Sequence, residues 1–317
     1  MKQAGPPEAW YRVPRSVSGM ASHLPLDAVA ARPRDEALAL AKALVELCKP
    51  RITRMVVITA GLGAVIAPGA IQWGPLTVVL VGTALIVAGA NTLNMWLEAR
   101  ADALMERTRN RPIPSGRVSA DVALIFGLGL AVLGYAVLAR WGNVHASLLA
   151  VAAFLAYVFV YTPSKKLSPY ALHIGAVPGA IPPLIGWATV SHALSWQALT
   201  LFAVMFVWQL PHFMAIALFR AGEYQRASIV VYPLAKGVPA TTRAMTHWSI
   251  VLLATVLAPL ALGMAGISYG LVAGGIGLGF LLLVAFGQRW LPLERWAKVV
   301  FAMSIPYLVI VFTALAI

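Results

Sequence analysis

Apolar stretches close to the length of a bilayer span recur along this chain from Ile52 to its end. A membrane-crossing helix needs about 20 apolar residues, whereas the strands of an outer-membrane barrel have about 10 residues of alternating polarity. The mean hydropathy is +0.81 and 60% of residues are hydrophobic. We therefore predict an all-α polytopic membrane protein with nine transmembrane helices. The predicted spans are 52–69, 75–97, 119–139, 144–162, 172–190, 197–219, 247–265, 270–287 and 298–316.

Basic residues are concentrated in alternate loops between these spans. If the N-terminus is cytoplasmic, fourteen lysines and arginines fall in inside loops and Arg140 alone falls outside. This bias predicts a cytoplasmic N-terminus and an external C-terminus. The net charge of +13 is then explained by topology, which argues against nucleic-acid binding. The inside residues are Arg100, Arg107, Arg109, Arg111, Arg117, Lys165, Lys166, Arg220, Arg226, Lys236, Arg243, Arg289, Arg295 and Lys298.

The chain before the first span has two different compositions. Residues 1–36 are rich in Pro, Arg and Ala, which is typical of a disordered cytoplasmic extension. Residues 37–317 are predicted to form the membrane domain, beginning with a short helix that lies on the membrane surface. Leu40, Leu44 and Leu47 would share the apolar side of that helix.

Three hydrophilic side chains stand at the end of the second predicted span. Asn94, Glu98 and Asp102 recur every four residues, and each such step turns an α-helix by about 400°. All three therefore project from one face, where they can converge on one cation. Acids are scarce here, 11 against 24 basic residues, and charged groups beside hydrocarbon are costly unless they serve a site.

Prolines interrupt the fifth and sixth predicted spans. The fifth contains Pro178, Pro182 and Pro183, and the sixth contains Pro211 beside His212. Such breaks free backbone carbonyls, and membranes tolerate them where neighbouring helices or a water-lined cavity satisfy those groups. We predict a central cavity that these two spans partly enclose.

A basic loop with Arg107, Arg109 and Arg111 follows the acids directly. Arginines oppose a bare metal ion, but the combination suits a polyanion: carboxylates hold Mg²⁺, Mg²⁺ holds phosphate, and guanidinium groups hold the phosphate from the other side. Glu223 follows the sixth span on the same predicted side of the membrane. We therefore expect Glu223 to meet the first acids above one cavity.

At these residues the chain becomes similar to a known family. The segment NMWLEARADALMERTRNRPIPSGRV, which begins at Asn94, resembles the first signature of the UbiA superfamily of membrane prenyltransferases. YTPSKK at 161–166, GAVPGAIPPLIGW after it, and WQLPHF at 208–213 resemble the protohaem IX farnesyltransferase (haem O synthase) branch, as does KPRIT at 49–53. The resemblance covers about residues 45–317. Glu98 and Glu223 stand where the family more often has Asp, so each carboxylate reaches one methylene further.

The resemblance implies a UbiA-like fold and a prenyl transfer in the bacterial cytoplasmic (inner) membrane. The implied reaction joins the farnesyl group of farnesyl diphosphate to the 2-vinyl group of haem B (protohaem IX), giving haem O for terminal oxidases. Mg²⁺ is the implied cofactor, haem B is a substrate, and the implied partners are the lipid bilayer and haem A synthase or oxidase assembly factors. The implied ligands of Mg²⁺ are Asn94, Glu98, Asp102 and Glu223; those of the diphosphate are Arg107, Arg111, Lys165, Lys166 and Arg51; those of haem are His212 and, second, His173.

Two alternatives remain open on the sequence. One is a UbiA-type enzyme that prenylates an aromatic acid or quinone precursor, against which the WQLPHF and YTPSKK segments argue. The other is a nonenzymatic transporter of cations or of a lipid diphosphate, which also can use carboxylates at broken helices. Product formation separates an enzyme from a carrier.

Overall fold

The computed structural model describes residues 33–317, and every regular element in that range is helical. Leu40–Ile317 forms one compact unit, and the first two turns of α1 belong to a separate unit before it. The predicted disordered extension, 1–36, lies outside the described residues except for its last four. The helices are α1 Pro33–Leu47, α2 Pro50–Ile66, α3 Trp73–Ala103, α4 Ala120–Trp141, α5 Val144–Leu155, α6 Thr162–Ser164, α7 Ala171–Ala180, α8 Pro182–Ser191, α9 Trp196–Phe219, α10 Ala221–Arg226, α11 Tyr232–Lys236, α12 Val238–Ala261, α13 Ile267–Phe286 and α14 Leu293–Ala316.

Eight helical segments within residues 33–317 are long and apolar enough to cross a bilayer, one fewer than predicted. The exception is the first predicted span. Its helix α2 has 17 residues, about 25 Å at a rise of about 1.5 Å per residue, and its first turns carry Arg51 and Arg54. The eight segments are Trp73–Ala103, Ala120–Trp141, Val144–Ser164, Ala171–Ser191, Trp196–Phe219, Val238–Ala261, Ile267–Arg289 and Leu293–Ala316.

Two helices continue well past the predicted spans, because hydropathy detects only the apolar part of a helix. Helix α3 runs on to Ala103. Asn94, Glu98 and Asp102, called the polar ladder from here on, therefore occupy the last turns of an uninterrupted helix. Helix α12 begins at Val238 rather than 247, since Pro239 suits a first turn and Arg243 stays within the helix.

The fifth predicted span is divided, as its prolines indicated. Helices α7 and α8 meet at Ile181, because Pro182 and Pro183 have no N–H to continue the first helix. Gln209 of α9 is buried and donates to the backbone carbonyl of Ala176 in α7, at 3.3 Å. This hydrogen bond joins the divided fifth span to the sixth. The sixth span was also predicted to be interrupted, but α9 continues through Pro211 without a break.

Helices α2 and α8 approach until their backbones touch. A Cβ atom added to Gly63 would lie 2.1 Å from the carbonyl oxygen of Pro183, and one added to Gly186 would lie 1.7 Å from that of Ala60. Only glycine leaves room for this approach. The contact holds α2 against the broken fifth span.

The other half of the unit packs around large buried side chains. Trp296 and Phe312 of α14 and Met245 of α12 are almost completely buried in a cluster to which α9 and α13 contribute. The indole N–H of Trp296 donates to the carbonyl oxygen of Leu283 at 3.0 Å, which satisfies its polar group. This cluster fixes α14 against α9.

We predict that Gly63→Ala destabilises the folded protein while Gly61→Ala does not. The added methyl group at Gly63 must separate α2 from α8, and overpacking of this kind costs about 1–3 kcal/mol. Nothing lies within 4 Å of a Cβ at Gly61, on the same helix. Thermal unfolding of the purified variants in one detergent measures the difference. Equal midpoints for the two variants would contradict the backbone contact.

Candidate functional site

A cavity of about 560 Å³ opens where the last turns of α3 and α9 and the first turns of α14 lie near one another. One wall is polar and comes from α3, the loop after it and the segment around Lys165. A second part of the lining is aromatic and comes from α9 and α14, including Phe213, Phe219 and Phe301. The volume and the mixed lining are typical of a small-molecule site.

The polar ladder of α3 lies on the cavity wall. Asn94, Glu98 and Asp102 all line the cavity, and Asn94 and Asp102 are each only 1% exposed. Their four-residue spacing places them on one helix face, and the continuity of α3 keeps them in line. Three hydrophilic side chains are therefore presented to the same space.

Each acid of the ladder is paired with a basic side chain. The Lys165 ammonium lies 2.7 Å from Glu98 Oε1, and an Arg111 guanidinium nitrogen lies 2.6 Å from Asp102 Oδ2. Asp102 Oδ1 is buried and has no hydrogen-bond partner within the described part of the chain. Thr108 donates to the backbone carbonyl of Asp102, which holds the loop that carries Arg111.

Asn94 is fixed from two sides. Its Oδ1 accepts a hydrogen bond from the Lys49 ammonium at 2.7 Å, and its Nδ2 donates to Thr162 Oγ1 at 3.1 Å. Burial, with a smaller contribution from the nearby Arg111 and Lys165 charges, lowers the pKa of Lys49 to about 7. Lys49 was not predicted to be a site residue, although the KPRIT segment at 49–53 was noted for its resemblance to the family. The signal available in the sequence was a lysine directly before the proline that starts a span.

A π-helical turn, Ala156–Tyr161, follows α5 and was not predicted. Thr162 N–H donates to the carbonyl of Tyr157, five residues back, as the wider π turn requires. Tyr157 and Tyr161 both line the cavity, and the Lys165 ammonium lies 4.5 Å from the centre of the Tyr161 ring. The wider turn thus places two tyrosines and a lysine on the cavity side.

Glu223 lies next to arginines that line the cavity but is not itself among the described lining residues. It pairs with Arg220 and lies 3.9 Å from Arg107, measured from Oε2 to Nε. Both arginines line the cavity, but Glu223 is absent from the described residues that line it. Lys166 and Arg51 are exposed, and neither is among the described residues that line the cavity. Residues that are adjacent in sequence near the end of a helix point in different directions.

The two predicted haem contacts also lie behind the wall. His212 is 8% exposed, its Nδ1 lies 2.6 Å from Ser304 Oγ, and its ring packs between Trp208 and Phe301. His173 Nδ1 is buried without a hydrogen-bond partner in the described residues, and its ring contacts Tyr170. Neither histidine is among the described lining residues.

The described residues that line the cavity carry more positive than negative charge. Its acids are Glu98 and Asp102, and no three acidic, His or Cys side chains in the described residues group into a metal cage. The set fits Mg²⁺ bound together with a diphosphate, because Mg²⁺ then takes one or two carboxylates plus phosphate oxygens. The unpartnered Asp102 Oδ1 is a free ligand atom for it. The bases that line the cavity are Lys49, Arg107, Arg111, Lys165, Arg220 and Lys298.

Sequence comparison identifies close relatives along most of the chain. The model of the UbiA prenyltransferase family matches residues 56–305. A protein of Sorangium cellulosum (strain So ce56) named protoheme IX farnesyltransferase is 45% identical over 260 residues, 81% of this chain and 93% of that protein. A protein of the same name from Myxococcus xanthus (strain DK1622) is 41% identical over 277 residues, 87% and 94% of the two chains.

Solved structures share the fold at low identity. A structure of digeranylgeranylglyceryl phosphate synthase has a TM-score of 0.74 at 18% identity, covering 87% of this chain and 97% of that one. A UbiA homolog from Archaeoglobus fulgidus, bound to GPP and Mg²⁺, has a TM-score of 0.61 at 16% identity, covering 89% of this chain and all of that one. These two likenesses concern the fold alone.

The ion pairs predict that a divalent cation binds weakly unless a diphosphate is present. A metal ion alone must displace Lys165 or Arg111 from its acid, whereas a diphosphate offers those bases a new partner. Mn²⁺ binding followed by electron paramagnetic resonance should be at least about tenfold tighter when pyrophosphate is present. Pyrophosphate with Mn²⁺ but no protein is the blank. Tight binding of Mn²⁺ alone would contradict this interpretation.

Proposed function

The chain belongs to the UbiA prenyltransferase family, and on this premise we propose that it transfers a farnesyl group from farnesyl diphosphate to the 2-vinyl group of protohaem IX. The products are haem O and diphosphate. The names of the relatives from Sorangium cellulosum and Myxococcus xanthus support this choice of substrates. The observation that carries the proposal is one cavity that combines the polar ladder, whose acids are paired with bases, an excess of bases and an aromatic wall.

The diphosphate headgroup binds between the α3 ladder and the surrounding bases. Asn94, Glu98 and Asp102 would hold Mg²⁺, which neutralises diphosphate charge when bound and makes the diphosphate a better leaving group. Arg111 and Lys165 leave their acids and donate to the phosphate oxygens.

Three further side chains complete the headgroup site. Lys49 donates to Asn94 and so orients its carbonyl oxygen. Arg107 lines the cavity and contributes a further donor to the phosphates. We propose that Glu223 acts through Arg107, which it holds at the cavity edge, rather than as the fourth metal ligand expected from the sequence.

The transfer begins when the bond between C1 of the farnesyl group and the diphosphate oxygen breaks and both electrons leave with the diphosphate. The vinyl π electrons attack the allylic cation and form the new carbon–carbon bond. Water then adds to the cation beside the porphyrin ring and loses a proton. Tyr157, Tyr161 and Phe213 line the space, where they exclude early water and present aromatic faces that favour a cation.

His212 and His173 stay candidates for contact with haem, although neither is among the described residues that line the cavity. His212 supports Phe301, a lining residue, through ring packing, and Ser304 fixes the orientation of the imidazole. His173 offers a buried nitrogen without a partner in the described residues, beside the lining residue Leu172. Iron ligation by either side chain stays a prediction.

The chain is a polytopic membrane protein, and we place it in the bacterial cytoplasmic membrane with its N-terminus inside. Fourteen inside bases against Arg140 support this orientation. An external C-terminus requires α2 to span as well, and its close packing on α8 supports that. Association with haem A synthase or oxidase assembly factors stays a prediction.

The alternatives are less well supported. A cation carrier is disfavoured because the lining described above carries six bases and two acids. An enzyme for an aromatic or quinone precursor is disfavoured because the relatives at 45% and 41% identity are named for protoheme.

We predict that the purified protein, given Mg²⁺, farnesyl diphosphate and haem B, releases pyrophosphate only when haem is present. Mass spectrometry of the extracted haem should show the mass of a hydroxyethylfarnesyl derivative. Replacing haem by a quinone precursor is the matched control. Pyrophosphate release with that precursor and no haem product would overturn the proposed acceptor.

We predict that Asp102→Asn lowers turnover at least about 100-fold, the scale on which loss of one electrostatic stabiliser acts. Asp102 carries a buried oxygen that has no partner among the described residues, and its other oxygen holds Arg111. Glu46→Gln is the control, because Glu46 is also paired with an arginine, Arg117, but at an exposed position. Size-exclusion profiles check that both variants fold. An Asp102→Asn protein of full activity would refute the site assignment.

A further inference from the structure

Two basic residues of the cavity come from the α9 and α14 side and are not among the groups assigned above to the phosphate oxygens. Arg220 follows α9, and Lys298 lies in the second turn of α14. Both line the cavity. They come from helices that contribute no member of the ladder, which lies wholly on α3.

Aromatic rings connect these two bases. The Arg220 guanidinium lies 5.6 Å from the centre of the Phe219 ring, and the Phe219 and Phe301 rings meet edge to face at 5.8 Å. Lys298 precedes Phe301 by three residues, so that both project from the same side of α14. The wall is therefore a ring-lined apolar surface with a positive charge at each end.

Such a surface matches a flat, apolar ring system that carries carboxylates on one edge. We propose that Arg220 and Lys298 bind the two propionate carboxylates of the porphyrin acceptor, with the ring system lying against Phe219 and Phe301. This inference rests on the proposed function, because it takes a porphyrin as the acceptor.

The present partners of the two bases are compatible with that role. Lys298 pairs only with Glu294 among the described acids, one helical turn away, and the two side chains are 57% and 67% exposed. Exposed pairs of this kind are weak, so that Lys298 exchanges partners at little cost. Arg220 is held by Glu223 and is therefore already oriented at the cavity edge.

The proposed contact also fixes the direction of the acceptor. The propionates and the vinyl groups occupy opposite edges of protohaem. Holding the propionates on the wall of α9 and α14 turns the vinyl edge away from that wall and into the cavity that Glu98 and Asp102 also line. The reacting carbon is then presented to the side on which the farnesyl C1 is released.

Binding of iron protoporphyrin IX and of its dimethyl ester, whose carboxylates are neutral, tests the inference by absorbance titration. We expect wild-type protein in detergent to prefer the free acid at least about tenfold, and Lys298→Gln to keep a third of that preference or less. Glu294→Gln breaks the same helix pair but spares the lysine, so it should keep the full preference. Arg226→Gln, a nearby base absent from the described lining, is the charge control, and protein-free micelles are the blank.

The outcomes separate this inference from the function on which it rests. Equal loss in Lys298→Gln and Glu294→Gln, or wild-type preference in Lys298→Gln, would show that Lys298 has only a structural or interfacial role. Equal binding of acid and ester by the wild type would refute the carboxylate site alone. A wild-type protein that binds farnesyl diphosphate but neither porphyrin would refute the acceptor itself.

Discussion

The pairing of buried acids with bases at the end of α3 is the interaction on which the site depends. Asp102 is 1% exposed, and an isolated carboxylate at that depth would be too costly to retain. Arg111 makes the charge tolerable without covering both carboxylate oxygens. The protein can therefore keep charged carboxylates buried at a membrane edge. The carboxylates become free to bind a metal when the bases pair with a diphosphate instead.

Several parts of this arrangement were predictable because they are local in sequence. The four-residue spacing of Asn94, Glu98 and Asp102 dictates a common helix face, and Arg111 lies only nine residues beyond Asp102. Proline positions predicted the break between α7 and α8. The number of spans was less secure, since α2 gains its place from glycine contacts with α8 rather than from its length.

The parts that sequence reasoning missed depend on packing between distant segments. Lys49 and Asn94 are 45 residues apart in sequence, and they form a hydrogen bond only because α2 lies beside α3. The contacts of His212 with Ser304 and Phe301 of α14 were likewise not predicted, while its contact with haem stays a prediction. Glu223 is set back because Arg107 and Arg220 stand before it. No periodicity within one helix carries this information.

The π-helical turn Ala156–Tyr161 makes the length of its segment as important as its composition. An α-helix advances by about 100° per residue and a π turn by less, so winding the same residues as a regular α-helix, with none removed, would rotate everything beyond the turn about the axis. Lys165 would then face away from Glu98, although every side chain of the site had been kept. The wider winding that absorbs one surplus residue, rather than any functional group, sets the angular alignment of this wall with α3.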